Sequence, residues 1–406
     1  MAPTRDPKDV QTWLIGSGGA SLAAAVHLIN RGKVPARQVH IFDAHHRPGG
    51  AMKTSVGGKL SMDLIVFILE GERRFDSKKI CDVFEGTFFA SEFWALWSTR
   101  FKLQMWHSAT EFHRLLVKYH PDMNVHNNVP DLDKTPLTLY ESLIIPVTTY
   151  LKHEGVEFRF HSVVTELGLC PTSDQTTISK IIILENEKEI VITVDPIDIV
   201  IVTLGSFSAG TQTGSNARPP EPSSISSDIF NHSEWGLWQK LAHKCPKFGN
   251  PRTFLTRLDE SAIETFTITL HDSDFMRCYT GLTRDNPGTG SPLTVLETPW
   301  GLNISVPHQP VFTTQPKSVN VIWGYGLYPE RNGKYVQKPM EICSGEEIFE
   351  LLSHLGFPIN SLLPSSITIP CVMPLGTSML LSRTISDRPP VVPFKTTNLA
   401  LHRPIC

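Results

Sequence analysis

The stretch Val10–Ser21, VQTWLIGSGGAS, decides the fold of this chain. Its apolar first half predicts a short, buried strand of a parallel sheet. The glycines then lead into SLAAAVHLINRG, an alanine- and leucine-rich segment that predicts a helix ending at Gly32. A second apolar run at residues 38–42 predicts another strand, which ends at Asp43. A strand, a helix and a strand in this spacing predict a right-handed βαβ unit.

The loop between the first strand and the helix has the spacing of a dinucleotide-binding fingerprint. Gly16 permits a tight turn, Gly18 lets the backbone approach a pyrophosphate, and Ser21 is small enough for helix–strand packing. The free N–H groups at the helix N-terminus would hold the pyrophosphate. The predicted contacts in this loop are Gly16, Ser17, Gly18, Gly19, Ala20 and Ser21. The alternative is a glycine-rich turn that serves packing alone.

The residues after the second strand favour FAD over NAD as the dinucleotide. Asp43 can accept hydrogen bonds from ribose hydroxyls. A second glycine pair follows in RPGG, and the predicted contacts there are Gly49, Gly50 and Ala51. The run at residues 156–166 predicts the strand whose backbone touches adenine, with Val164 as the contact. The alternative for Val164 is an ordinary position in a sheet strand.

The composition is that of an ordinary globular protein. The chain has 406 residues, of which 40% are hydrophobic and 19% charged, and its net charge is −3. This balance does not indicate a nucleic acid or an anionic membrane as partner. The seven cysteines are dispersed, which favours reduced thiols and argues against a metal site. The first ten residues lack an apolar signal core, so we expect a cytoplasmic location.

Short segments along most of the chain resemble one protein family. They occur in the order FFASEFWALWSTRF, WHSATEF, YESLIIP, VIWGYGLYP, SHLGFP, IPCVMP and DRPPVVP. Together they resemble the oleate hydratases, also called myosin-cross-reactive antigens. The resemblance implies an FAD-containing hydro-lyase that adds water to the cis double bond of an unsaturated fatty acid such as oleate, giving a 10-hydroxy fatty acid. It also implies an α/β fold, with a Rossmann-type FAD/NAD(P)-binding domain and a largely helical substrate region.

We expect five segments in this arrangement. Residues 1–60 form the N-terminal βαβ part of the FAD-binding domain, and residues 61–153 form a helical, aromatic-rich substrate region. Residues 154–233 return to the FAD-binding domain, and residues 234–363 form a mixed α/β substrate region. Residues 364–406 are expected to be an irregular, shortened C-terminal segment that contacts flavin and substrate.

The sequence departs from the family at both catalytic positions. After PGGAM it reads KTSVGGKLSMDLIVF, as if an internal segment were omitted, and Lys59 stands where the family's GGREM segment has the glutamate that positions water. The family's RRYL segment appears as HRLL, so Leu115 stands at the position of the proton-donating tyrosine. We therefore assign no catalytic residue. The alternative function is a catalytically inactive flavin- or lipid-binding remnant.

The C-terminal part also departs from the family. TNLA continues as LHRPIC rather than FIGQF, which implies the loss of a flavin-contacting loop and of C-terminal helices that engage membrane lipid. Weak or absent membrane contact is expected as a result. Formation of a homodimer stays open.

The segment MPLGTSMLLSR corresponds to the place where the family holds the substrate carboxylate. Thr377 and Arg383 are the expected contacts, because hydroxyl and guanidinium groups suit a carboxylate. The alternative is that both are loop residues with solvated tips. His107 is interpreted as a core histidine with satisfied hydrogen bonds, and Glu111 as a solvated charge on a helix face. The aromatic residues between Phe88 and Trp97 predict a packed core, with the wall of a lipid channel as the alternative.

Overall fold

The structure is a computed structural model that describes most of the chain. The described residues are 6–17, 19–43, 67–119, 135–171, 176–221, 234–289, 292–295, 298–388 and 399–402. Several predicted or compared positions lie outside them: Gly18, Gly49, Gly50, Ala51 and Lys59. Their predicted roles stay predictions.

A five-stranded parallel sheet contains the predicted βαβ unit. Its spatial order is β14 (Leu399–His402), β7 (Ile199–Thr203), β1 (Thr12–Ile15), β2 (Val39–Phe42) and β3 (Glu157–Arg159). Helix α1 (Gly19–Asn30) connects β1 to β2. Leu14, Ile41 and Val200 on neighbouring strands are fully or almost fully buried, as expected for parallel strands covered on both faces. The α/β class with a Rossmann-type parallel sheet is confirmed.

A three-stranded antiparallel sheet follows β3. Its strands are β4 (Ser162–Pro171), β5 (Thr176–Glu185) and β6 (Lys188–Thr193). Leu167 and Ile181 on this sheet are buried in the same core cluster as Trp235 and Trp238 of helix α6 (Glu234–Lys244). The two indole rings add a large apolar area to this core.

A six-stranded antiparallel sheet forms the core of the second half. Its spatial order is β10 (Leu293–Val295), β11 (Leu302–Ser305), β12 (Asn320–Gly326), β9 (Ile263–Leu270), β13 (Ser366–Met373) and β8 (Gln212–Thr213). The expectation that the last part of the chain is irregular is wrong at β13, which pairs with β9 along all eight residues of both strands. β13 buries Ser366, Thr368 and Pro370 at alternate positions, as a strand does, although Pro370 lies within it. The five-segment division of the chain stays a prediction.

The remaining helices are mostly short. They are α2 (Gly86–Phe89), α3 (Glu92–Phe101), α4 (Ala109–Tyr119), α5 (Ile145–His153), α7 (Arg252–Leu255), α8 (Asp274–Thr283), α9 (Gly345–Phe349) and α10 (Ile359–Leu362). Ser91 caps α3, because its hydroxyl oxygen accepts the N–H of Trp94 over 3.1 Å. Within the described residues, no helix is both long enough and apolar enough to cross a bilayer.

The aromatic residues of α2, α3 and α4 pack against one another as a core. Trp94, Trp97 and Phe112 are buried, and their ring centroids lie 5.9 Å (Trp94–Phe112) and 6.2 Å (Trp97–Phe112) apart. Phe88 stacks on Phe84 with the centroids 4.2 Å apart. The rings fill the space between the helices, which agrees with the interpretation of this stretch as a packed core.

Candidate functional site

The carboxyl ends of three parallel strands meet at one edge of the sheet, where the predicted nucleotide loop begins. The N–H of Gly16 donates to the carbonyl oxygen of Phe42 over 2.7 Å. The hydroxyl of Thr203 donates to the carbonyl oxygen of Ile15 over 2.6 Å. Gly16 has a φ of +92°, and a Cβ atom there would lie 2.2 Å from the Thr203 hydroxyl oxygen. Because a side chain at this position would collide with Thr203, the turn requires glycine.

Asp43 contacts this loop from the end of β2. Its Oδ2 atom accepts the backbone N–H of Ser17 over 2.7 Å and the hydroxyl of Ser17 over 2.6 Å. Ser17 is fully buried. Gly19 and Ala20 open helix α1, so Ser17 and Asp43 lie just before its N-terminus.

This arrangement fits a dinucleotide. The first N–H groups of α1 have no partner within the helix, and a pyrophosphate satisfies such groups. Asp43 supplies the acid that ribose hydroxyls require. Ser21 is fully buried, as a small packing residue should be, and its hydroxyl oxygen has no hydrogen-bond partner in the described part of the chain. The contacts with a cofactor themselves stay a prediction.

Val164 lies in β4, where it pairs with Ile183. Its side chain belongs to the buried cluster that includes Ile15 and Phe42, the last residues of β1 and β2. Because the side chain packs in the core, only the backbone of Val164 could contact adenine. That contact also stays a prediction.

Arg159 is a charged residue at this edge that the sequence analysis missed. It ends β3, and its carbonyl oxygen accepts the N–H of Asp43 over 3.4 Å. Its guanidinium carbon lies 5.6 Å from the centroid of the Phe42 ring, and Nη2 donates to Oε2 of Glu185 over 2.7 Å. The available signal was its place at the end of a predicted strand, since the ends of parallel strands converge on the same edge.

Thr377 is buried beside His107 rather than exposed on a loop. Its hydroxyl donates to the carbonyl oxygen of Ser261 over 2.9 Å and lies 3.3 Å from Nε2 of His107. Nδ1 of His107 accepts the N–H of Gln104 over 3.0 Å, so the ring proton lies on Nε2. Burial lowers the pKa of His107 to about 3, so the ring is neutral. This agrees with the interpretation of His107 as a core histidine.

Arg383 is also buried, and it binds Glu111. Its Nη2 atom donates to Oε1 of Glu111 over 2.6 Å, and Nη1 donates to the carbonyl oxygen of Leu381 over 2.6 Å. The interpretation of Glu111 as a solvated charge is wrong, because its side chain is 12% exposed and also contacts Arg114 and Arg388. The helix face of α4 that carries Glu111 is covered by residues from the distant C-terminal segment.

Thr377 and Arg383 therefore do not converge on one point. The hydroxyl of Thr377 faces Ser261 and His107, whereas the guanidinium of Arg383 faces Glu111. The alternative of solvated tips does not apply, since both residues are less than a tenth exposed. Binding of a substrate carboxylate by these residues stays a prediction.

Glu264 is a buried acid that the sequence analysis did not single out. It lies in β9 opposite Gly326 of β12 and Val372 of β13. Neither of its carboxylate oxygens has a hydrogen-bond partner among the described residues. Burial, followed by the nearby charge of Glu341, raises the pKa of Glu264 well above its usual value, so the neutral acid is favoured. The available signal was its position on the alternation that places Phe266, Ile268 and Leu270 on the buried face.

The sequence matches the MCRA family over residues 9–60 and 53–403. The chain belongs to this family. The resemblance to the myosin-cross-reactive antigens is thereby confirmed. The two matched segments overlap at residues 53–60, the stretch that follows PGGAM.

Two curated relatives are similar to this chain. It is 30% identical to an oleate hydratase of Streptococcus pyogenes serotype M49 (strain NZ131), over 84% of this chain and 59% of that protein. It is 28% identical to a linoleate hydratase of Lactiplantibacillus plantarum, over 91% of this chain and 71% of that protein. The chain thus spans less than two thirds of the length of the first of these relatives.

Solved structures show a weaker likeness. An oxidoreductase from Methanosarcina mazei is 10% identical with a TM-score of 0.44, covering 97% of this chain and 94% of that one. The halogenase PltM in complex with phloroglucinol and FAD is 12% identical with a TM-score of 0.36, covering 89% of this chain and 59% of that one. Likenesses of this size carry no argument about function.

Proposed function

We propose that this MCRA-family chain binds FAD at the edge formed by Gly16, Ser17 and Asp43, and that it hydrates the cis double bond of an unsaturated fatty acid such as oleate. The observation that carries the proposal is the family match on both sides of residues 53–60. The names of the two relatives, an oleate hydratase and a linoleate hydratase, support the reaction and the substrate class. The glycine turn and the acid before helix α1 support the cofactor.

FAD, when bound, supplies a structural and electrostatic contribution, because the addition of water to an alkene involves no net electron transfer. The carboxylate of Asp43 accepts hydrogen bonds from ribose in place of the hydroxyl of Ser17. Helix α1 holds the pyrophosphate with its first N–H groups. Thr377 and Arg383 are the proposed contacts of the fatty-acid carboxylate. Arg383 must then share its donors between that carboxylate and Glu111.

A second candidate function is a non-catalytic flavin- or fatty-acid-binding protein, and Leu115 favours it. Leu115 is half-buried against the aromatic core at the position where the family has a proton-donating tyrosine. A leucine cannot donate a proton, and hydration of an isolated alkene requires a proton donor and a positioned water. If hydration occurs, another group must therefore supply the proton.

Turnover of oleate separates the two functions. The purified chain is incubated with FAD and oleic acid in heavy water, and deuterated 10-hydroxystearate is measured by mass spectrometry against a boiled control. Product above the control supports the hydratase. Protein that retains FAD without forming product supports the non-catalytic flavin binder, and the absence of both product and flavin contradicts the hydratase and the flavin binder.

The cofactor site is tested by a matched pair of glycine substitutions. Gly16 and Gly155 both have positive φ, at +92° and +91°, but a Cβ atom at Gly155 would meet nothing within 4 Å. Both Gly16→Ala and Gly155→Ala strain the backbone, and the first also displaces the Thr203 hydroxyl that donates to Ile15. We expect Gly16→Ala to lower FAD affinity by at least about tenfold, equivalent to ~1.4 kcal/mol. Equal flavin fluorescence titrations for the two variants would contradict the assigned site.

A further inference from the structure

A cleft at the N-terminal end of helix α4 contains three arginines around a single carboxylate. Oε1 of Glu111 accepts Nη1 of Arg114 over 2.7 Å and Nη2 of Arg383 over 2.6 Å, and Nη1 of Arg388 lies 3.5 Å away. Thr110 completes the cleft from the first turn of the helix. These groups come from α4 and from the C-terminal segment, so the cleft exists because the two segments pack together.

The cleft has more positive than negative charge. Burial alone would raise the pKa of Glu111, but the charges of Arg388, Arg383 and Arg114 lower it, so Glu111 is ionised. Glu72 neutralises a second arginine by accepting Nε and Nη2 of Arg114, each over 2.8 Å. Three guanidinium groups therefore contact two carboxylates.

Asp387, the next carboxylate along the C-terminal segment, accepts hydrogen bonds from its own turn. Asp387 accepts the backbone N–H and the hydroxyl of Thr384 over 2.9 and 3.0 Å, where it closes a short turn. It therefore does not contact the guanidinium groups at the base of the cleft in any described hydrogen bond. Among the described residues, the three arginines of the cleft contact two carboxylates, those of Glu111 and Glu72.

Two buried donors that line the cleft lack a hydrogen-bond partner among the described residues. They are the hydroxyl of Thr110 and Nε of Arg388. Thr110 is 3% exposed and Arg388 is 8% exposed. Buried polar groups are nearly always hydrogen-bonded, so two such donors in one cleft indicate a missing acceptor.

The helix adds to the attraction for an anion. α4 has eleven residues, and the hydroxyl oxygen of Ser108 accepts the N–H of Glu111 over 3.3 Å at its start. The N-terminus of such a helix carries partial positive charge. The enclosed part of the cleft has room for one water-sized group, so one oxygen of a ligand can enter while the rest lies in the open mouth.

We propose that this cleft binds an oxyanion, with one of its oxygens between the hydroxyl of Thr110 and Nε of Arg388. Phosphate and the carboxylate of a fatty acid share this chemistry. The site does not depend on hydration or on FAD, because the groups that form it lie between α4 and residues 383–388. Because Arg383 is bound to Glu111, the proposed contacts of the anion are Nε of Arg388 and the hydroxyl of Thr110.

The test is isothermal titration calorimetry of the full chain at constant ionic strength, with sodium phosphate and sodium octanoate as separate probes. Thr110→Val removes one unpartnered donor and keeps the size of the side chain. Thr148→Val in α5 is the matched control, since its hydroxyl is also buried without a partner in the described residues but lies outside the cleft. Arg388→Lys is a second variant that retains the charge and removes Nε.

We expect the unmodified chain and Thr148→Val to bind alike, and Thr110→Val to bind about fivefold more weakly, the value of one hydrogen bond. Arg388→Lys should also weaken binding. Binding of phosphate alone identifies a free-anion site, and competition by octanoate identifies a site for a fatty-acid carboxylate. Absence of heat with both probes, or unchanged affinity in Thr110→Val, would overturn the proposal whether or not the chain hydrates oleate.

Discussion

Glu111 and Glu264 are both buried glutamates, but their surroundings are opposite. Glu111 lies between α4 and the C-terminal segment among three arginines. Glu264 lies on the apolar face of the six-stranded sheet, and its oxygens have no hydrogen-bond partner among the described residues. The pKa of Glu111 is lowered despite its burial, whereas burial and Glu341 raise the pKa of Glu264 well above the usual value. Burial alone therefore does not decide the charge of a carboxyl group; its partners do.

Removal of the charge of Glu111 should cause the largest loss in the free energy of unfolding. Glu111→Gln leaves Arg383 and Arg388 buried without their charged partner, and such a change destabilises a protein by roughly 3–5 kcal/mol. Urea denaturation followed by circular dichroism measures the free energy of unfolding. Glu166→Gln is the control, because Glu166 pairs with Lys244 over 2.7 Å at the surface and an exposed pair contributes less than about 1 kcal/mol. Equal losses in the two variants would mean that the arginines do not depend on Glu111.

The next largest effect should be on the pH dependence of stability, to which Glu264 and Glu111 contribute with opposite sign. A raised pKa in the folded state means that Glu264 contributes stability below the unfolded value of 4.5, and that this stability falls as pH rises through the folded pKa. The decline is at most ~1.4 kcal/mol per pH unit. Glu264→Gln should remove it. The lowered pKa of Glu111 has the opposite sign, so its contribution is lost as pH falls below 4.5.

Thermal melts between pH 4 and pH 9 measure this difference. We expect the melting temperature of Glu264→Gln to exceed that of the unmodified chain on the alkaline side and to approach it on the acid side. The same alkaline decline in both proteins would show that Glu264 is ionised and has found a partner.

Asp43 differs from both glutamates, because its Oδ2 atom accepts two hydrogen bonds from Ser17 at the predicted nucleotide loop. Asp43→Asn should change the free energy of unfolding by only about 1 kcal/mol. It should lower FAD affinity by about tenfold if the carboxylate binds ribose. Asp198→Asn is the control: Asp198 is buried and accepts the N–H groups of Gln11 and Asp195, each over 3.0 Å, at the opposite end of β1 and β7. A similar loss of flavin in both variants would contradict the role of Asp43.

The sequence predicted the βαβ unit well because the information there is local. β1, α1 and β2 follow one another within residues 12–42, and turn chemistry and apolar spacing define each of them. Ser17 and Asp43 come together as a direct result. Thr203 could not be predicted, because its contact with Ile15 joins positions 188 residues apart.

The second half of the molecule was predicted less well for the same physical reason. Arg383 and Glu111 are 272 residues apart, so no local pattern shows that the helix face of Glu111 is covered. Pro370 within β13 and the prolines near it concealed a strand that pairing with β9 stabilises. Glu264 could have been found, since its place on the buried face follows from the two-residue period of β9.

The pairing of β1 with β7 and of β7 with β14 has a consequence for synthesis of the protein. Residues 12–15 leave the ribosome first, but one neighbour in their sheet is at 199–203 and the strand beyond it is at 399–402. Contacts this distant in sequence form slowly. The hydrogen bond from Thr203 to Ile15, beside the glycine turn, cannot form until half of the chain has been translated. Completion of this edge of the sheet is therefore a late event in folding, and until then the apolar strand β1 is an unpaired segment of the kind that chaperones recognise.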